Sequence, residues 1–203
     1  MISPQSRLLP HCLKRSSSGS LQSGFSLIEV IVTVSIITIL TALVMFRYGS
    51  FNSAVLLKNQ AFEIALDIRE AQVFAISVRG NTSQFREEYG VYFSLAANEN
   101  KQYVFWQDDG TTFNPRYDPP FEEINTITLD NRFSVVDICL NDAPTPCNTD
   151  AVSISFARPN FDATIVSDTG FVAQTAQIII APDNDLSFTR SIYITSTGQI
   201  TVE

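Results

Sequence analysis

The stretch Phe25-Ser-Leu-Ile-Glu-Val-Ile-Val-Thr-Val-Ser-Ile-Ile-Thr-Ile-Leu-Thr-Ala-Leu-Val-Met-Phe46 sets the terms on which the rest of the chain is read. It runs for 22 residues without Gly or Pro and carries one ionisable side chain, Glu29. Its many β-branched residues suit a strand, but strands seldom exceed ten residues, and a segment in lipid has to satisfy its own backbone bonds as a helix. At about 1.5 Å per residue the stretch reaches roughly 33 Å, enough for a hydrocarbon core of about 30 Å. Length therefore predicts a transmembrane helix over 25–46.

The flanks orient it. Residues 1–24 hold Arg7, Lys14 and Arg15 and no acid, a charge of +3, whereas the 157 residues from Arg47 onward hold ten bases and twenty acids, a charge of −10. A basic head before the span and an acidic body after it place the N-terminus in the cytoplasm and the body outside it. The acidic body also argues against a protein that grips phosphate backbones, so nucleic acid is not an expected partner. A secretory signal peptide has a shorter apolar region, about 7–15 residues, followed by a small-x-small cleavage site. No such site follows Phe46; the small residue, Gly24, stands at the other end.

Glu29 is the anomaly. A carboxylate inside a span costs about 2.5–3.5 kcal/mol on insertion scales and calls for a partner. One reading has Glu29, four residues into the bar, merely reaching the headgroups. The other supposes that the chain is cut after Gly24, so that a new α-amine at Phe25 pairs with this carboxylate on a neighbouring copy.

Gly24-Phe25-Ser26-Leu27-Ile28-Glu29-Val30, behind a basic leader and at the head of an apolar helix, resembles the prepilin cleavage and methylation motif of type IV pilins and type II secretion pseudopilins. The resemblance implies cleavage by a prepilin peptidase between Gly24 and Phe25, N-methylation of Phe25, and a filament-assembly role for Glu29. It also implies other pilins or pseudopilins, an inner-membrane assembly platform and the lipid bilayer as partners. The expected location is the bacterial inner membrane, with the globular body in the periplasm. The leader is long for many pseudopilins, and the Pro that many major pilins carry near the end of the span is missing.

After Arg47 the apolar residues Leu57, Ala61, Ile64, Ile68, Ala71, Ala75 and Val78 are spaced four and three alternately, one stripe of a helix, and Arg79-Gly80-Asn81 supplies a basic last turn and a stop. The stripe is the face that packs on a domain core; a coiled coil with a partner is the alternative. Beyond Asn81 the period becomes two, predicting strands at 90–95, 102–107, 124–129, 133–138, 151–156, 176–181, 188–196 and 199–202. Thr197-Gly198 reads as a hairpin turn. Arg158-Pro159-Asn160-Phe161, Arg190 to Val202 and the helix ending Glu70 to Gly80 resemble the GspH/FimT class of minor pseudopilins and pilins.

The expected fold is α+β: a long N-terminal helix, transmembrane in its first half, packed against an antiparallel β-sheet domain as in pilins. Its segments are a leader at 1–24, a span at 25–46, an amphipathic continuation at 47–80 and a β-rich domain at 81–203. Cys139 and Cys147 lie close in sequence, while Cys12 falls in the leader. In an extracytoplasmic body they invite a disulfide, and closing nine residues is worth roughly 2.5 kcal/mol by loop entropy. Two thiols and no His after residue 24 make a poor zinc set, the sharper alternative. The acid pairs Glu87-Glu88, Asp108-Asp109 and Glu122-Glu123 read as solvated surface. Asp183-Asn-Asp185 and Asp108-Asp-Gly110 lack calcium-loop spacing. With no nucleophile elbow, phosphate loop or dinucleotide fingerprint, no cofactor and no enzymatic activity are expected. The function expected is that of a structural and assembly subunit of a type IV-like filament, in secretion or pilus biogenesis. A pilus-tip binding module, adhesin or DNA receptor, with a basic patch at Arg158 or Arg190, is the alternative.

Overall fold

The computed structural model describes residues 24–77, 88–108, 114–141, 147 and 149–203, without the side chains of 46–52. The leader to residue 23, Val78, Arg79-Gly80-Asn81, Glu87 and Asp109-Gly110 lie outside these residues. Two compact units divide between Phe46 and Arg47. The helix α1 spans Leu27–Ile76. Within it Leu27–Met45 is long and apolar enough to cross a membrane, with mean hydropathy 2.6 and none of it buried. Its hydroxyls are self-satisfied: Thr33 donates to Val30 O, Ser35 to Ile31 O, Thr38 to Val34 O and Thr41 to Ile37 O. Back-bonding to a carbonyl three or four residues earlier removes the penalty of a lone hydroxyl in an apolar setting.

The second unit holds ten strands: β1 Tyr89–Ser94, β2 Gln102–Gln107, β3 Glu123–Thr128, β4 Phe133–Leu140, β5 Ala151–Phe156, β6 Ala163–Ser167, β7 Val172–Ala173, β8 Thr175–Pro182, β9 Arg190–Thr195 and β10 Ile200–Val202. They form two antiparallel sheets, β3-β2-β1-β5-β6-β7 and β10-β9-β8-β4. The strands β6 and β7 are additions to the sequence expectation. Ala163-Thr-Ile-Val-Ser167 has only two large apolar residues between turn-forming flanks, and β7 is too short to show a period.

The stripe predicted on α1 is buried in the core: Leu57, Ala61, Ile64, Ile68, Ala71 and Ala75, joined by Ala65, pack with Val91, Phe93, Ile154, Ile178, Ile192 and others of both sheets. The four alanines bring the helix backbone close to the sheets. In β4 the pairing with β8 shifts between Val135 and Asp137, which lets Val135 and Ile138, three apart, both face the core. On β1 the core takes Tyr89, Val91 and Phe93, leaving Gly90, Tyr92 and Ser94 on the outer face. Gly90 is glycine because Trp106 lies over it: a Cβ there would stand 2.7 Å from the indole and 2.6 Å from Ile154 O.

The last turns of α1 are tied to the sheets by polar rungs. Tyr103 donates its hydroxyl to Asp67, Arg69 donates to Ile200 O, and the Gln72 amide donates to Phe161 O and Gly198 O. Burial and the Asp67 charge push the Tyr103 hydroxyl far up, so it stays a donor. The basic group that meets the helix end is remote in sequence: Arg158 donates to Ala75 O at 3.1 Å and to Ser77 O at 3.3 Å. A cation on the last carbonyls satisfies orphan acceptors and opposes the partial negative charge of the C-terminus.

Candidate processing and assembly site

Gly24, Phe25 and Ser26 precede α1 in non-helical conformation. Nothing lies within 4 Å of a Cβ built on Gly24, and Phe25 is 82% exposed. A peptide bond in such a segment is open to a protease, which requires extended, accessible backbone. The helix starts on the carbonyl of Ser26, which accepts from the amides of Glu29 at 3.0 Å and Val30 at 3.3 Å. Ser26 thus stands at the N-cap position with Glu29 three residues on, the spacing of a capping box. That Ser-x-x-Glu signal, directly before an apolar run, is legible in sequence and is an addition to the reading above. An acid in the first turn also complements the partial positive charge of the helix N-terminus. Glu29 is exposed, five positions from Gly24 along the chain, and it is the one ionisable side chain between Phe25 and Phe46. Gly24, Phe25 and Glu29 are therefore gathered within the first turn and its approach.

The cysteines form a second feature. Cys139, near the end of β4, is bonded to Cys147 by a disulfide with a Cα–Cα distance of 4.8 Å. Asp137 stands beside it, accepting the Cys147 amide at 3.5 Å and the Ile138 amide at 2.9 Å. The three side chains cluster as metal ligands would, yet the disulfide takes both thiolates.

The acids depart from expectation. Asp108 and Glu122, read as solvated, are 2% and 3% exposed, and Glu88 is half-buried; among the described members of these pairs Glu123 alone is open. Bonds at the sheet end hold them: Gln107 N donates to Glu122 O, Asp108 N to Glu88 O, and Asp118 N to the Glu122 carboxylate at 2.7 Å. Burial raises the Glu88 pKa, the polar Ser155 hydroxyl nearby opposes the rise, and the Asp108 charge adds to it. Asp183 is engaged by Lys101 and Ser134, which lower its pKa, and Asp185 by Ser187. Arg158, a candidate for a basic patch, is spent on the helix end, and Arg190 is half-buried with its guanidinium donating to Thr189 O.

Residues 19–45 match the family model described as the prokaryotic N-terminal methylation motif. No curated protein matches the chain. Among solved structures, the crystal structure of the type IV minor pilin FimU of Pseudomonas aeruginosa (strain PAO1) is similar at a TM-score of 0.38 and 12% identity, over 72% of this chain and 92% of that one. The methylation motif is thus set across the start of the long apolar helix, over Gly24, Phe25 and Glu29.

Proposed function

We propose that this protein is a minor pilin or minor pseudopilin, a structural and assembly subunit of a type IV-like filament, and not an enzyme. The observation that carries the proposal is the junction itself: an open Gly24–Phe25 bond followed, four residues later, by the single carboxylate of an otherwise uncharged helix. In this reading a prepilin peptidase of the inner membrane removes 1–24 and methylates Phe25. The span holds the subunit in the bilayer, with the β-rich domain in the periplasm, until the assembly platform draws it into a filament. The Glu29 carboxylate then meets the Phe25 amine of a neighbour in a setting where neither charge tolerates being alone.

A second face supports packing among such helices. Val55, Phe62, Leu66 and Val73 are 43–65% exposed on α1 and recur at intervals of seven, four and seven, a stripe distinct from the one buried in the domain. Exposed apolar stripes of this kind are interaction surfaces.

Mass spectrometry of the N-terminus tests processing: an N-methylated Phe25 is expected, and a retained leader refutes it. Glu29→Ala tests assembly. Cleavage should persist while incorporation into filaments falls by at least an order of magnitude, the scale of the roughly 2 kcal/mol expected for an unpaired amine. Normal incorporation of that variant sinks the role given to Glu29.

A further inference from the structure

The outer face of the six-stranded sheet carries a cleft. Pairing sets Tyr92 of β1 opposite Val104 of β2, and Val104 opposite Thr126 of β3, so the three form one cross-strand row. Tyr117 arrives from the β2–β3 connection and is fixed there, its amide donating to Ser153 Oγ at 3.1 Å. Its ring lies 5.1 Å from Tyr92 and 6.3 Å from Trp106. It lines, with that row, a cleft of about 360 Å³ to which Gln102, Glu99 and Arg116 also contribute. That volume lies in the range of about 300–1,000 Å³ typical of ligand pockets.

The chemistry of the lining selects a class. Burial raises the pKa of both Tyr92 and Tyr117, so their hydroxyls remain neutral. Glu123 is already engaged by the Thr126 hydroxyl. Glu99 and Arg116, both exposed, make no salt bridge among the described residues. The cleft therefore offers a free anionic acceptor, a free cationic donor and an amide that does both, around an aromatic surface. A ligand with a strong net charge meets the wrong sign on one margin, and an apolar ligand uses neither. A molecule with hydroxyls around its rim and C–H groups on its faces uses all of them, since each hydroxyl both donates and accepts and the C–H face lies on the ring.

We infer that this cleft binds a neutral saccharide, one ring face against Tyr92 and its hydroxyls on Glu99, Gln102 and Arg116. The inference rests on the sheet alone and stands apart from the reading of the N-terminal motif.

The test uses the full chain in lipid nanodiscs, free of glycosidic detergent, and saturation-transfer NMR with methyl β-glucoside, methyl β-galactoside and N-acetylglucosamine as probes. Transfer to at least one sugar is expected, strongest at the C–H protons of one ring face. Arg116→Ala and Glu99→Gln, at exposed positions, should each weaken binding about tenfold, as loss of a charged hydrogen bond does. Arg132→Ala, on the β3–β4 turn, should leave it unchanged. Absence of transfer to all three sugars overturns the assignment, as does transfer that survives both margin variants. Displacement of the sugar by inorganic phosphate would overturn it in favour of an anion site.

Discussion

Gly198→Ala probes the way the C-terminal hairpin is fastened to the helix. Gly198 has φ +79° in the turn between β9 and β10, and a Cβ there would stand 2.0 Å from Phe161 O and 2.6 Å from the Gln72 amide nitrogen. A left-handed backbone costs a residue with a Cβ about 1–2 kcal/mol. The clash also expels the Gln72 amide, breaking its bonds to Phe161 O at 2.9 Å and Gly198 O at 3.1 Å, each worth about 0.5–1.5 kcal/mol. The expected loss is about 3 kcal/mol, or about 6–12 °C in Tm for a chain of this size. Urea unfolding of the full chain in mild micelles, read by fluorescence, measures it well, because the sole tryptophan, Trp106, is fully buried in the other sheet and reports the whole domain. Gln72→Ala alone should cost about 1–2 kcal/mol. Added to Gly198→Ala it should cost almost nothing more, because the amide has already been displaced. A Gly198→Ala loss below about 1 kcal/mol, or full additivity in the double variant, refutes the reasoning.

Further outcomes follow from other parts of the domain. Arg158→Met keeps the stem but removes the cation from Ala75 O and Ser77 O; a loss of about 1–2 kcal/mol is expected in the same urea assay, and a neutral result would show that the helix end needs no partner. Reduction of Cys139–Cys147 should cost roughly 2.5 kcal/mol by loop entropy, measured as the shift of the urea midpoint with and without reductant. Asp130, held by Arg132, should titrate at about 2 by carbon-detected NMR and return toward 3.8 in Arg132→Ala; its contribution is present above 3.8 and lost as pH falls through about 2. Glu88 has the opposite sign: its raised pKa means the folded state holds the proton more tightly, so its contribution is present below about 4.5 and lost as pH rises through the folded value. Glu88→Gln should therefore be the more stable form at pH 7, and the advantage should vanish below pH 4.5; equal stability at both would refute burial as the cause.

The sequence shows the parts that repeat with a period and hides the parts made by register and by remote contact. Leu57 to Ala75 declare a buried helix face because every member recurs at three or four. A strand is expected at 90–95 and β1 lies one residue earlier, but that β1 pairs with β5, some sixty residues on, is a fact of topology that no local pattern carries. The cross-strand row of Tyr92, Val104 and Thr126 depends on two such registers at once, and a slip of one residue in either would move a member to the core. Asp108 and Glu122 look like surface because acids usually are; they are buried at the two ends of the β2–β3 connection, a placement the sequence does not reveal. At the N-terminus the reverse holds. Gly24, Phe25 and Glu29 lie within six consecutive residues, so the motif is local and is read directly.

The rungs between Asp67 and Ser77 have a mechanical consequence. They are spread along about ten residues of helix and point sideways, to a hydroxyl on β2, to carbonyls of β10 and the β9–β10 turn, and to Phe161 and Arg158. A pull directed along this part of α1 loads them in shear, all at once, with the buried stripe sliding as a block. A sideways pull at the end of the helix would open them one after another, like a zip. The domain is thus fastened to resist traction along the helix axis far better than peeling.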